Sequence, residues 1–306
     1  MTRALLTIVL MAFAATASAT LDPAKLRLAS ANALILDASA GRPIYAKAAD
    51  EVAPIASLTK LMTAMVVLDA KQPLDETLEI TLGDIDFLKG SKSRLRLGTA
   101  LPRREMMRLA LMSSENRAAS SLARDYPGGA NAFVTAMNAK ARALGMTRSH
   151  FADATGLSPS NVSTANDLAR LVRAAADYPL IREYSTTPSA FIEVDPTAGR
   201  LLGFSNSNRL VASHAWEITL QKTGYIREAG RCLVMMTNIA SKPVVIVLLD
   251  SVGKYSRLGD AERVKHWLET GESMPEVIQR VVTNAPRAGK RNGPVRGTLA
   301  PRIRVN

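Results

Sequence analysis

The stretch that decides the reading is Pro54-Ile55-Ala56-Ser57-Leu58-Thr59-Lys60-Leu61-Met62-Thr63-Ala64-Met65. It opens a helix running from Leu58 to Ala70, with Leu61, Met65 and Leu68 at helical spacing and Pro73 as the stop. Ser57 at the head of that helix shares a face with Lys60. The free backbone N–H groups of the first turn lie beside the hydroxyl, where they can hold an oxyanion. With 23 Ser and 12 Lys in 306 residues, about one S-x-x-K is expected by chance. Two occur. The other, Ser251-Val252-Gly253-Lys254, follows a strand into a Gly-containing turn, where the spacing carries no facing relationship.

Two more short elements follow in order. Ser114-Glu115-Asn116 falls in the break between helices expected over 102–112 and 116–125, and Lys222-Thr223-Gly224 ends a strand. A second S-x-N stands at Ser30-Ala31-Asn32, whereas K-T-G is unique. Taken singly, Ser57 and Asn116 read equally well as helix N-caps and Lys222 as a solvated strand-end charge. Three elements in order, each in suitable local structure, point instead to acyl transfer. Ser57 is then the nucleophile and Lys60 the general base. That role asks for a lysine pKa near neutrality instead of about 10.4, to be reached by partial desolvation and by a second cation, Lys222. Ser114 relays a proton to the leaving amine, Asn116 holds a substrate amide, and Lys222 with Thr223 binds a carboxylate. Gly224 admits a substrate backbone, and the backbone N–H groups of Ser57 and Tyr225 form the oxyanion hole.

Around these elements the chain mixes strands and helices. A hairpin is expected from Asn32–Asp37 and Pro43–Lys47. Further helices are expected over 130–144 and 165–177, the latter with a capping-box start at Thr164 and Asp167. Three consecutive strands, Trp216–Gln221, Arg231–Ile239 and Val244–Asp250, precede an amphipathic helix over Tyr255–Glu269. The order implies an α/β protein of the α+β type: one antiparallel sheet formed from both chain ends, flanked by helices, with a helical lobe beside it.

Other chemistries lack their signatures. G-x-S-x-G, H-E-x-x-H, a Walker loop and G-x-G-x-x-G are all absent, and His150, His214 and His266 carry no triad pattern. One cysteine, Cys232, reads as a buried apolar thiol, and Met62, Met65, Met106 and Met107 read as core. No metal and no cofactor is expected.

The net charge of +12 first invites a nucleic-acid or anionic-surface partner. Its distribution argues otherwise. Residues 1–19, with Arg3, an apolar run and Ala17-Ser18-Ala19, have the form of a cleaved secretory signal peptide, which places the protein in the periplasm. Residues 283–306 hold six basic residues and no acid among Gly, Pro and Asn, and read as a disordered basic tail. Residues 20–282, the expected catalytic domain, keep 32 basic and 27 acidic residues. The tail is at most a weak tether to an anionic envelope, and no nucleic-acid partner is expected.

With the segments 54–65 and 111–118, Thr155-Gly156-Leu157, Ser163-Thr164-Ala165 and Lys222-Thr223-Gly224-Tyr225, the chain resembles the low-molecular-mass penicillin-binding proteins of the D-alanyl-D-alanine carboxypeptidase/endopeptidase family. The likeness runs from about residue 30 to 275. It implies a β-lactamase/transpeptidase-like fold, a peptidoglycan substrate, cleavage of the D-Ala–meso-diaminopimelate cross-link and covalent trapping by β-lactams. Glu115 stands where carboxypeptidase relatives more often have Gly, as in the endopeptidase branch. Many carboxypeptidase relatives carry a second strand-rich domain and a C-terminal membrane helix; with only the basic tail read after the catalytic domain, anchoring by that route is not expected. The rivals are a carboxypeptidase trimming terminal D-Ala, a β-lactamase, and a basic binding protein without catalysis. No Glu begins the E-x-x-L-N sequence that a class A β-lactamase uses for deacylation, so a slowly released penicilloyl adduct is expected.

Overall fold

The structure is a computed structural model and describes residues 21–274, apart from 196, 197 and 254. The segments read as a signal peptide and as a basic tail lie outside the described residues. Strands β1 (Ser30–Asp37) and β2 (Arg42–Lys47) form the expected hairpin. A two-residue strand β3 (Ala53–Pro54) and a 3-10 turn (Ala56–Leu58) lead into α1 (Thr59–Asp69). The lobe that follows holds β4 (Thr77–Glu79), β5 (Ala100–Pro102), α2 (Arg103–Met112), α3 (Asn116–Arg124), α4 (Gly129–Ala143), β6 (Val162–Ser163), α5 (Ala165–Ala175) and α6 (Pro179–Thr186). A ribbon of β7 (Ser189–Asp195) and β8 (Arg200–Ser205) precedes β9 (Glu217–Ile226), β10 (Gly230–Ile239), β11 (Lys242–Ser251) and α7 (Ser256–Thr270).

The sheet order is β2-β1-β11-β10-β9, antiparallel at every pairing. β1 lies beside β11, with Ser30 opposite Ser251 and Asp37 opposite Val244, so both chain ends do complete one sheet. Asp260 in α7 locks that closure. Its buried carboxylate accepts from the N–H groups of Ala29 (2.9 Å) and Ser30 (2.7 Å) and from the Ser30 hydroxyl (2.6 Å). The apolar runs of β1, β10 and β11 are covered on both faces, which is why they read as continuous instead of alternating. On one face Ile35, Met235, Ile246 and Leu248 pack on Val264 and Trp267 of α7. On the other, Leu34, Val234, Val247 and Leu249 belong to the core that includes α1 and α5.

Two expectations change, and two further features were not anticipated. Helix α1 is not amphipathic: every residue from Thr59 to Val67 is buried, because sheet and lobe enclose it. Lys222-Thr223-Gly224 does not end its strand. Pairing of β9 with β10 continues to Ile226 opposite Gly230, so the motif sits in mid-strand on the outer edge of the sheet. Ser251 is not in a turn but closes β11, its hydroxyl paired with that of Ser30. Helix α6 and the β7–β8 ribbon had no expectation at all, since the ribbon turns Phe191 outward and buries Ile192 and Val194 only against the lobe.

Candidate active site

The turn ahead of Ser57, the expected nucleophile, is held under strain. Ile55 donates its N–H to the Asn161 carbonyl (3.0 Å), and Ala56 then takes a left-handed backbone, φ 49°. An L-residue there is costly and persists only where its surroundings impose it. Two glycines do so. A β-carbon on Gly156 (φ +81°) would lie 2.0 Å from the Ala56 carbonyl oxygen, and one on Gly224 would lie 2.9 Å from that of Ile55. Gly224 therefore serves the close approach of β9 to this turn, a different reason from the one expected. Thr59 Oγ1 closes the turn by donating to the Ala56 carbonyl (2.8 Å).

Lys60 is completely buried one helical turn below Ser57. Its Nζ meets Ser57 Oγ at 3.0 Å, Asn116 Oδ1 at 2.7 Å and the Thr155 carbonyl at 2.6 Å. The last two atoms only accept, so each requires an N–H. A neutral amine has two N–H bonds and one lone pair. With both N–H groups committed, the lone pair faces Ser57. Burial lowers the Lys60 pKa from 10.5 to about 7, against the opposing pull of Asp153 and Glu115. Near neutrality the amine is free to take a proton in a large fraction of molecules.

Lys222, also fully buried, donates to Ser114 Oγ (2.8 Å) and to the Thr223 carbonyl (2.9 Å). Its pKa falls well below the ordinary lysine value, first through burial, then through Lys60 and Arg257. For both lysines burial is the largest cause, as the expected desolvation requires, and the repulsion between the two cations adds to it. Ser114 itself has φ 62°, a second strained residue at the site. Thr223 Oγ1 bonds Ser207 Oγ (2.7 Å). Tyr225 is exposed beneath Arg231, whose guanidinium lies 4.6 Å from the ring centroid. Because β9 is an outer strand, alternate N–H groups face away from β10, toward the nucleophile turn.

The three elements expected from sequence therefore converge. Asn116 is not the cap of α3: Glu115 is, accepting from the Arg117 N–H at 3.1 Å, which leaves Asn116 to bridge Lys60 and Ser91 Oγ (3.0 Å). Four contributors went unread. The Thr155 carbonyl holds Lys60. Asp153 organises that loop, accepting from the N–H groups of Thr155, Gly156 and Ser158 and from Asn161 Nδ2. These bonds hold its carboxyl below the usual range despite burial. Ser91 braces Asn116, and Arg257 of α7 donates to the Gly224 carbonyl (3.0 Å). Asp153 ahead of Thr155-Gly156 was the one legible hint, an Asx-turn residue before a glycine.

If Lys60 is the base, acylation by a penicillin slows as pH falls through about 7, because the protonated amine cannot accept. Glu115→Gln removes a carboxylate that raises the Lys60 pKa while leaving a cap oxygen. The acid limb of the acylation profile then moves to lower pH, as stopped-flow rates across pH 5–9 would record.

A family model described as D-alanyl-D-alanine carboxypeptidase (Peptidase_S11) matches residues 16–253. The chain is 51% identical over 271 residues to a D-alanyl-D-alanine endopeptidase of Pseudomonas aeruginosa, covering 88% of this chain and 83% of that protein. The Streptomyces K15 DD-transpeptidase superposes with a TM-score of 0.74 at 27% identity, over 80% of this chain and 98% of that one. Penicillin-binding protein D2 from Listeria monocytogenes, in its cefotaxime-bound form, gives 0.70 at 29% identity, over 79% and 98%. The nucleophile turn, the buried lysine pair and these likenesses agree: this chain belongs to the Peptidase_S11 family of serine DD-peptidases.

Proposed function

We propose that the protein is a D-alanyl-D-alanine endopeptidase that hydrolyses D-Ala–meso-diaminopimelate cross-links of peptidoglycan. The observation that carries the chemistry is the Lys60 amine, with two acceptor-only partners and its third position on Ser57 Oγ. Ser57 attacks the D-Ala carbonyl and its proton passes to Lys60. The developing oxyanion is met by the backbone N–H groups of Ser57 and Tyr225. Ser114 relays that proton from Lys60 to the leaving amine as the C–N bond breaks. Asn116 holds a substrate amide, and Lys222, Thr223 and Arg257 face the carboxylate beside that amine. Water then releases the acyl group and restores Ser57.

The same site fits terminal D-Ala removal, and the choice of the cross-link rests on the likeness to the endopeptidases. β-Lactams enter as acylating inhibitors of Ser57. The periplasm, reached through a signal peptide over residues 1–19, is the matching address. Residues 20–282 form the catalytic domain, and residues 283–306 add a basic segment suited to weak contact with an anionic envelope. The test is digestion of purified cross-linked dimers and of uncross-linked pentapeptide muropeptides by the full mature chain. Monomers released from the dimer are expected. Free D-alanine from the pentapeptide, with the dimer intact, would assign the carboxypeptidase reaction instead.

A further inference from the structure

A cavity of about 390 Å³ opens at Ser114, bounded by Lys92, Ser93 and Arg94 on one side and Ser113, Ser114, Glu115 and Asn116 on the other. Its outer wall is fastened to α3 at both ends. Ser91 Oγ accepts from Asn116 Nδ2 (3.0 Å), and the Leu95 carbonyl accepts from Arg117 Nη1 (2.7 Å). Lys92, Ser93 and Arg94 lie between those anchors and line the cavity with Ser114. Arg94 is braced further, its guanidinium 3.9 Å from the centroid of the Phe204 ring and donating to the Gly203 carbonyl of β8.

The charges on this wall are unbalanced. Lys89, earlier in the same loop, is matched with Glu228. Among the described residues neither Lys92 nor Arg94 forms an ion pair, and Lys92 is exposed with no hydrogen bond. Glu115, across the cavity, spends one carboxylate oxygen on the Arg117 N–H.

Position gives the cavity its role. The amine that leaves Ser57's acyl partner must come within hydrogen-bond reach of Ser114 Oγ, about 3 Å. Whatever hangs from the carbon bearing that amine therefore lies along the wall next to Ser114. Alanine and diaminopimelate, as leaving groups, share the amine and the adjacent carboxylate. They differ in one substituent: a methyl on alanine, and on diaminopimelate a chain that continues into a second, carboxylate-bearing stem peptide. An enzyme that only trims alanine needs no room there. One that cuts cross-links needs a channel, and cations suit an anionic stem.

We infer that the Lys92–Arg94 wall and Ser114–Glu115 form the subsite for the leaving stem peptide, with Lys92 pairing a carboxylate of that stem. The inference rests on the endopeptidase reading. It makes Lys92 a specificity residue that favours cross-linked over uncross-linked substrate.

The test compares kcat/KM for a cross-linked dimer with that for a pentapeptide muropeptide, in wild type, Lys92→Glu and Lys92→Arg of the full mature chain. The expected result is a dimer-to-pentapeptide ratio about fivefold lower in Lys92→Glu, the scale of one partly screened charge contact, and near the wild-type ratio in Lys92→Arg. Dimers amidated on the leaving stem should lower the wild-type ratio and remove the difference between wild type and Lys92→Glu. A ratio unchanged in Lys92→Glu, in an enzyme that does cut dimers, overturns the subsite and spares the endopeptidase reading. A wild type that releases only D-alanine overturns both.

Discussion

Ser57→Ala loses covalent labelling by fluorescent penicillin and reduces dimer hydrolysis by at least about 10⁴-fold, since nucleophile and base act as a unit. The folded chain persists, because Ser57 is only half-buried and its hydroxyl serves no packing role beyond the contact with Lys60. Among the described residues, the serine of the other S-x-x-K, Ser251, closes β11 and is bonded to Ser30, away from any helix start. In the wild type the labelled protein gains the mass of the whole penicillin, and the adduct outlasts electrophoresis. Asp153, with both carboxylate oxygens accepting within its own loop, is not free to activate water against the ester, and Glu115 has one oxygen committed to the cap of α3. A mutant that still labels would remove Ser57 from the mechanism, and rapid turnover of a chromogenic cephalosporin would make the protein a β-lactamase.

Gly156→Ala is the substitution expected to damage the fold most for a single added carbon. Its β-carbon would stand 2.0 Å from the carbonyl oxygen of Ala56, 2.3 Å from the carbonyl carbon and 2.8 Å from the Ser57 nitrogen. All three are backbone atoms, so no rotamer change relieves the overlap. Either the nucleophile turn or the Asp153–Asn161 loop must shift, and the Thr155 carbonyl that fixes Lys60 moves with it. A loss of more than about 3 kcal/mol is expected, with Tm lower by roughly 8 °C or more and penicillin acylation largely abolished. Gly98→Ala provides the control. Gly98 has a similar φ of +77° but open space around it, so only the conformational cost of about 1 kcal/mol applies. Equal melting shifts in the two variants, read by differential scanning calorimetry, would mean that backbone conformation alone matters at Gly156.

Much of this was legible in the chain itself. Long apolar runs at 231–239 and 244–250 announced buried strands, and local patterns placed most helices to within a few residues. The serine–lysine pair was readable because one turn of helix sets the geometry between positions 57 and 60 whatever surrounds it. Asn116 and Lys222 were readable as residue types in order, yet not as neighbours: 56 residues separate Lys60 from Asn116, and only folding brings them to 2.7 Å. The Thr155 carbonyl was invisible, because a backbone oxygen has no letter of its own. Arg257 was hidden among the ordinary charges of an amphipathic helix, and the Lys92–Arg94 wall resembled any solvated loop. The β7–β8 ribbon escaped because half its apolar residues face outward.

Legible along the chain were Ser57 as the candidate nucleophile, the order of the three motifs, the mixed architecture and the modest charge of residues 20–282. Those are properties of local spacing and composition. What surrounds these residues came only with folding. Burial is the largest cause bringing Lys60 to about 7, and two glycines, Gly156 in a loop and Gly224 in β9, pack against the left-handed Ala56 ahead of Ser57. Both depend on what is packed around an atom, and desolvation and steric exclusion are set by neighbours in space, which no linear pattern records.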